Sequence, residues 1–224
     1  MTAALSTPLL PRAPCLPADP LRVGVLVSGS GSNLQALLDA AAAPDSVFRV
    51  VVVISNVAGV RAIERARAAG VSVVVEPHRG LDRPTHEERV HAHLAQAGVE
   101  LVVLAGYMRV LTSTLLRRWP WRVVNVHPAL LPSFAGLHGA RQALEHGCRV
   151  AGCTVHLVDD GVDTGPILAQ ASVPVLDHDD EAALQARIQH HEHRLLPAVV
   201  RAFARGDVVI VDGRVRALGV TAET

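Results

Sequence analysis

Short apolar runs recur along the chain, and most are unbroken rather than alternating. LRVGVLVS (Leu21–Ser28), FRVVVVIS (Phe48–Ser55), VSVVVE (Val71–Glu76), VELVVLAG (Val99–Gly106) and WRVVNVH (Trp121–His127) all have strand length and are rich in valine. Unbroken runs of that length suit parallel strands buried on both faces. Helix-like segments separate them: NLQALLDAAAA, an alanine- and arginine-rich stretch ending at Gly70, PTHEERVHAHLAQAG, and TSTLLRRW. The alternation predicts an α/β, Rossmann-like, doubly wound and mostly parallel sheet.

After PALLP the pattern changes. GARQALEHG predicts a short helix, and RVAGCTVHLV and ILAQASVPV predict two strands joined by DDGVDTGP, so antiparallel strands belong to the C-terminal half. A long helix is expected from Glu181 to Arg205, then a hairpin in DVVIVDGRVRAL turning at Asp-Gly. Residues 1–20 carry five prolines and no continuous apolar stretch, and read as a disordered N-terminal extension with a cytoplasmic destination. Residues 21–224 read as a single domain, with a phosphate-binding half of about 21–120 and a catalytic half of about 121–224.

Composition narrows the chemistry. The 21 basic and 21 acidic residues balance, so there is no field for nucleic acid or an anionic membrane. All 21 basic residues are arginine, which excludes a Schiff-base lysine, a Walker lysine and a Ser-Lys dyad. Cys15, Cys148 and Cys153 form no C-x-x-C pair, against both a disulfide framework and a thiolate zinc site. The histidines of HEERVH and HHEHR miss the spacing that puts two ligands on one helix face, and read as polar surface with no metal.

Three segments carry candidate chemistry. SGSGSN, between a strand and a helix, offers backbone N–H groups and a positive dipole end to a phosphate. Leu34 stands where a dinucleotide fingerprint has its third glycine, and the second strand ends without an acidic residue, against a nicotinamide cofactor. In NVH, Asn125 and His127 share one face at the carboxyl end of a strand, and Pro128 stops the strand from continuing. An amide donor beside an imidazole suits a carbonyl becoming an oxyanion and a leaving nitrogen that needs a proton. A carboxylate beside His127 would favour the imidazolium, and Asp159, Asp160 and Asp163 all qualify.

SGSGSNLQALLDA, LAGYMRVL, NVHPALLPSFAGLHGARQALEHG, GCTVHLV, VDTGPIL and IQHHEHRLLP occur in order with compatible spacing. Together they resemble the folate-dependent glycinamide ribonucleotide formyltransferases, over about Leu21 to Leu218. The resemblance implies a catalytic set of Asn125, His127 and Asp163, choosing among the three aspartates. It implies that Gly31, Ser32 and Asn33 hold the phosphate of the ribonucleotide and that Glu192 contacts its glycinamide. It implies a folate site lined by Met108, Arg109, Val110 and Leu111, with Arg83 reaching the same ligand. The co-substrate would be 10-formyltetrahydrofolate and the partners small molecules, with the chain a monomer or homodimer. Gly139 and Ala140 depart from the Thr-His pair common in the family. Formyltetrahydrofolate deformylase and methionyl-tRNA formyltransferase are related rivals; the first usually carries an extra N-terminal regulatory domain, the second a further C-terminal domain and a basic surface. A non-catalytic phosphate- or nucleotide-binding module is the reading from a different class.

Overall fold

The computed structural model describes residues 15–211 and 214–217. Seven strands form one sheet: β1 (Leu21–Val27), β2 (Phe48–Ser55), β3 (Ser72–Val75), β4 (Leu101–Leu104), β5 (Val123–His127), β6 (Val150–Leu157) and β7 (Ile167–Pro174). Their order is β3-β2-β1-β4-β5-β6-β7. β1 to β5 are parallel, while β6 runs antiparallel to β5 and β7 antiparallel to β6. The helices are α1 (Ser32–Ala41), α2 (Arg61–Ala68), α3 (Arg83–Gln96), α4 (Ser113–Leu116), α5 (Gly139–Glu145) and α6 (Glu181–Arg205). β8 (Val208–Val211) and β9 (Arg214–Ala217) form the expected hairpin, whose Asp-Gly turn lies outside the described residues.

The valine-rich strands are apolar on both faces because helices cover both. One core gathers Val23, Val25, Val103 and Val124 with residues of α1, α2, α5 and α6; the other gathers Leu26, Val102 and Val123 with α3 and α4. The β1 glycine follows from this packing: a Cβ on Gly24 would lie 2.6 Å from Leu94 and 2.9 Å from Val99. β5 alternates in step, so Asn125 and His127 share the face of Val123, toward α3 and α4.

α6 begins where Asp180 accepts the Ala183 N–H at 2.7 Å and ends at Gly206, a left-handed cap with φ 76°. Its buried stripe runs Leu184, Ile188, Glu192, Leu195, Val199, Phe203. Each apolar member stabilises the fold by about 1.5–3 kcal/mol, so a carboxylate in that row calls for a reason.

Two expectations need correction. Within residues 15–20, assigned to the disordered extension, Cys15 is buried and its N–H donates to the carbonyl of Ala204 at 2.7 Å, while Leu16 and Asp19 bridge an exposed turn. Residues 1–14 lie outside the described part of the chain. The histidines of α3 are not all polar surface either. His86 is fully buried, with Nε2 on the Glu76 carbonyl at 2.9 Å, and burial above all lowers its pKa. Among the described residues no helix is long and apolar enough to cross a membrane.

Candidate active site

A cavity of about 700 Å³ opens at the carboxyl ends of β4 and β5. The segment after β4 forms one wall, with Met108 and Val110 exposed and Leu111 buried; the loop after β6 forms another, and Asn125 and His127 line the cavity between them. An apolar cleft with a few convergent polar groups is the usual form of a small-molecule site.

His127 is 4% exposed, and both ring nitrogens have neighbours. Nε2 lies 2.9 Å from the Phe134 carbonyl oxygen, an acceptor only, so that nitrogen carries a proton. Nδ1 lies 3.3 Å from Oδ2 of Asp163. That is longer than a charge-assisted hydrogen bond, so the carboxylate acts on the ring mainly through its field. The Phe134 carbonyl belongs to the chain leaving PALLP, and the turn is held by Thr154 of β6. Thr154 Oγ1 donates to Ala129 O at 2.7 Å and accepts from Leu131 N–H at 3.0 Å, while Gln170 of β7 donates to Leu131 O at 2.9 Å.

Asp163 is placed beside His127, and Asp159 is turned into its own loop. Asp159 accepts from Gly161 N–H and Thr164 Oγ1, closing its own turn. Asp163, at φ 54°, reaches back over β5. Its Oδ2 accepts the Gly136 N–H at 2.8 Å, and its Oδ1 lies 3.4 Å from Asn125 Nδ2 and 3.5 Å from His156 Nε2. Burial pushes the Asp163 carboxyl upward, but the His156 hydrogen bond, the Gly136 N–H and the His127 and His156 charges outweigh it and hold the net pKa below the usual carboxylate value.

His156 is absent from the sequence-derived site, yet it completes it. The antiparallel register sets it opposite Asn125. It is 1% exposed, with Nδ1 donating to the Leu157 carbonyl at 2.8 Å and Nε2 facing Asn125 Nδ2 at 3.1 Å. The contact fixes where the Asn125 amide stands against the β6 strand. The only available signal was a histidine within an apolar strand, which its own segment leaves unpaired with anything.

The phosphate-type residues cluster beside α1 rather than in the lining of this cavity. Gly31 takes φ 73°, and a Cβ there would lie 2.7 Å from the Ala62 Cβ and 2.8 Å from its Cα, so the turn admits only glycine comfortably. The first intrahelical bond is Gln35 N–H to Gly31 O, so the amides of Ser32, Asn33 and Leu34 precede it at the positive end of the helix. α2 supports the loop: Ala62 N–H donates to Gly29 O and Arg65 Nε to Ser30 O. Asn33 Nδ2 donates to Glu192 Oε2 at 2.8 Å, and the Asn33 Oδ1 is buried without a hydrogen-bond partner. Burial pushes the Glu192 carboxyl up against the opposing effect of that bond. Arg109 lines the cavity, with a buried Nε that lacks a partner. Arg83, the exposed first residue of α3, is not part of the lining.

Residues 21–200 match the family model described as formyl transferase. The chain is 48% identical to phosphoribosylglycinamide formyltransferase of Mycobacterium tuberculosis, over 91% of this chain and 94% of that protein. It is also 48% identical to the trifunctional purine biosynthetic protein adenosine-3 of Drosophila pseudoobscura pseudoobscura, over 83% of this chain but 14% of that longer protein. Its fold superposes on the crystal structure of glycinamide ribonucleotide transformylase 1 from Symbiobacterium toebii with a TM-score of 0.87 at 48% identity, covering 89% and 95% of the two chains.

Proposed function

We propose that this chain, which belongs to the formyl transferase family, moves the formyl group of 10-formyltetrahydrofolate to the primary amine of glycinamide ribonucleotide, a step of purine biosynthesis. The observation that carries the reading is the meeting of Asn125, His127 and Asp163 in one cavity beside the Met108–Leu111 segment. A cavity of about 700 Å³ with exposed Met108 and Val110 fits a flat, bulky donor. The donor is a substrate, and the chain's own groups supply the catalysis.

The neutral amine attacks the formyl carbon directly. The charge developing on the formyl oxygen meets the Asn125 amide and the His127 imidazole, which line the cavity side by side. As the tetrahedral species collapses, the leaving nitrogen takes a proton from His127 or from water, and the attacking nitrogen gives one up. Asp163, whose pKa is held below the usual carboxylate value, sets a negative charge 3.3 Å from His127 Nδ1. The ribonucleotide phosphate sits on the amides of Gly31, Ser32 and Asn33, and Glu192 receives the glycinamide end. Met108, Arg109, Val110 and Leu111 hold the folate, with Arg83 reaching its outer end. In this reading about 21–120 binds phosphate and about 121–224 binds the donor and carries the chemistry, as a monomer or homodimer acting on small molecules in the cytoplasm.

The test is donor deformylation followed by absorbance, with and without glycinamide ribonucleotide. Deformylation that needs the ribonucleotide, with formylated product recovered, supports the transferase. Free formate released regardless of acceptor makes the protein a hydrolase. His127→Ala and Asp163→Ala should each lower kcat far more than they alter substrate binding.

A further inference from the structure

We infer that Ser28 is a positioning residue for the formyl donor, holding the Met108–Leu111 segment from outside the cavity; the inference rests on the proposed role of that segment. Packing alone supports the segment poorly, because Met108 is 68% and Val110 42% exposed. Side-chain anchors hold both its ends instead. At the far end, Glu87 of α3, 1% exposed, accepts Thr112 N–H at 2.8 Å, Thr112 Oγ1 at 2.7 Å and Leu115 N–H at 3.0 Å. At the near end, Met108 N–H donates to Ser28 Oγ at 2.8 Å.

The Ser28 anchor is oriented. Its hydroxyl donates to Asn56 Oδ1 at 2.6 Å, which commits the proton and turns a lone pair toward Met108. Asn56 is 4% exposed, with Nδ2 lying 3.3 Å from Nδ1 of His78. A chain of polar contacts thus joins the ends of β4, β1, β2 and β3, in the arrangement where hydrogen bonds reinforce one another. Ser28 also donates its N–H to Gly106 O at 3.1 Å and opens the glycine loop, so one residue sets where the two substrate segments stand relative to each other. It does not line the cavity, so substituting it removes no contact with the donor.

Ser28→Ala in the full chain should raise the donor KM about tenfold, equivalent to about 1.4 kcal/mol, with acceptor KM and kcat within about twofold. Titration calorimetry with 5-formyltetrahydrofolate, an isomer used as a non-transferring probe, should show the same loss of affinity. Ser28→Thr, which keeps the hydroxyl, should restore both. An unchanged donor KM, an equal rise in both KM values, or no rescue by threonine overturns the inference. Where Ser28→Ala folds poorly by circular dichroism, Asn56→Asp and Asn56→Leu ask the same question. Aspartate keeps the acceptor for the Ser28 proton and should keep probe affinity, leucine should lose it, and equal affinities overturn the inference. A wild-type chain that transfers no formyl group defeats the functional reading, whereas a transferring wild type with an unshifted Ser28→Ala defeats this inference alone.

Discussion

Asn125 and His156 face each other across the β5–β6 ladder, amide Nδ2 to imidazole Nε2 at 3.1 Å. With Nδ1 on the Leu157 carbonyl the His156 ring is fixed in direction, and its Nε2 holds the Asn125 amide in place. His156→Ala removes that constraint, and kcat should fall about 10- to 100-fold with both KM values changed less than about threefold. Steady-state kinetics on both substrates check it; a loss confined to KM would assign His156 to binding instead.

Asp163 has a depressed pKa, so its ionised form is favoured by the folded state. The associated stability is fully present above the unfolded value of 3.8 and is lost as pH falls through the lower folded value. Urea denaturation of the wild type and Asp163→Asn should therefore differ by a constant amount from pH 8 to about pH 5. The gap should shift against the wild type only below about pH 4. A change centred near neutrality would contradict the assignment.

Glu192 has the opposite sign. Burial raises its pKa above the reference 4.5, so the folded state favours the protonated form. That stability is complete below 4.5 and is lost as pH rises through the folded value, leaving a penalty at neutral pH. Glu192→Gln should stabilise the free protein at pH 7 by about 1 kcal/mol, or roughly 2–4 °C in Tm, while raising the acceptor KM at least about tenfold. Calorimetric melts and acceptor kinetics on one preparation check both halves.

Gly31→Ala combines a left-handed backbone with an overlap on Ala62 and should destabilise the fold by about 2–4 kcal/mol. Gly80→Ala is the control. Its φ is 78° but nothing lies within 4 Å of the added Cβ, so only the backbone cost of about 1–2 kcal/mol remains. Equal denaturation midpoints for the two would remove close packing against α2 as the reason for Gly31.

Much of this arrangement was legible in one dimension because it follows from local periodicity. Unbroken valine runs announced strands covered on both sides, and the parity of Asn125 and His127 put them on one face. Asp180 and Gly206 bracketed α6 within its expected bounds. What escaped depends on pairings between distant segments. His156 became visible only through the register opposite β5, and Asp163 was separated from Asp159 by a positive φ that a loop of aspartates does not advertise. His86 read as surface because its helix is polar, whereas the side chain turns under the β3 end to bond the Glu76 carbonyl. Cys15 escaped because prolines nearby suggest an unattached tail, and no local pattern reports a contact with residue 204.

The turn that holds His127 in place is fastened by Thr154 and Gln170, residues made after it. A chain leaving the ribosome has five strands, both Asn125 and His127, and the glycine loop before it has either fastening. Synthesis must continue through β6 and β7 before the imidazole acquires a fixed direction, because the Phe134 carbonyl depends on that turn. A nascent chain stalled near residue 150 would therefore carry much of the sheet while the His127 ring still lacked its support.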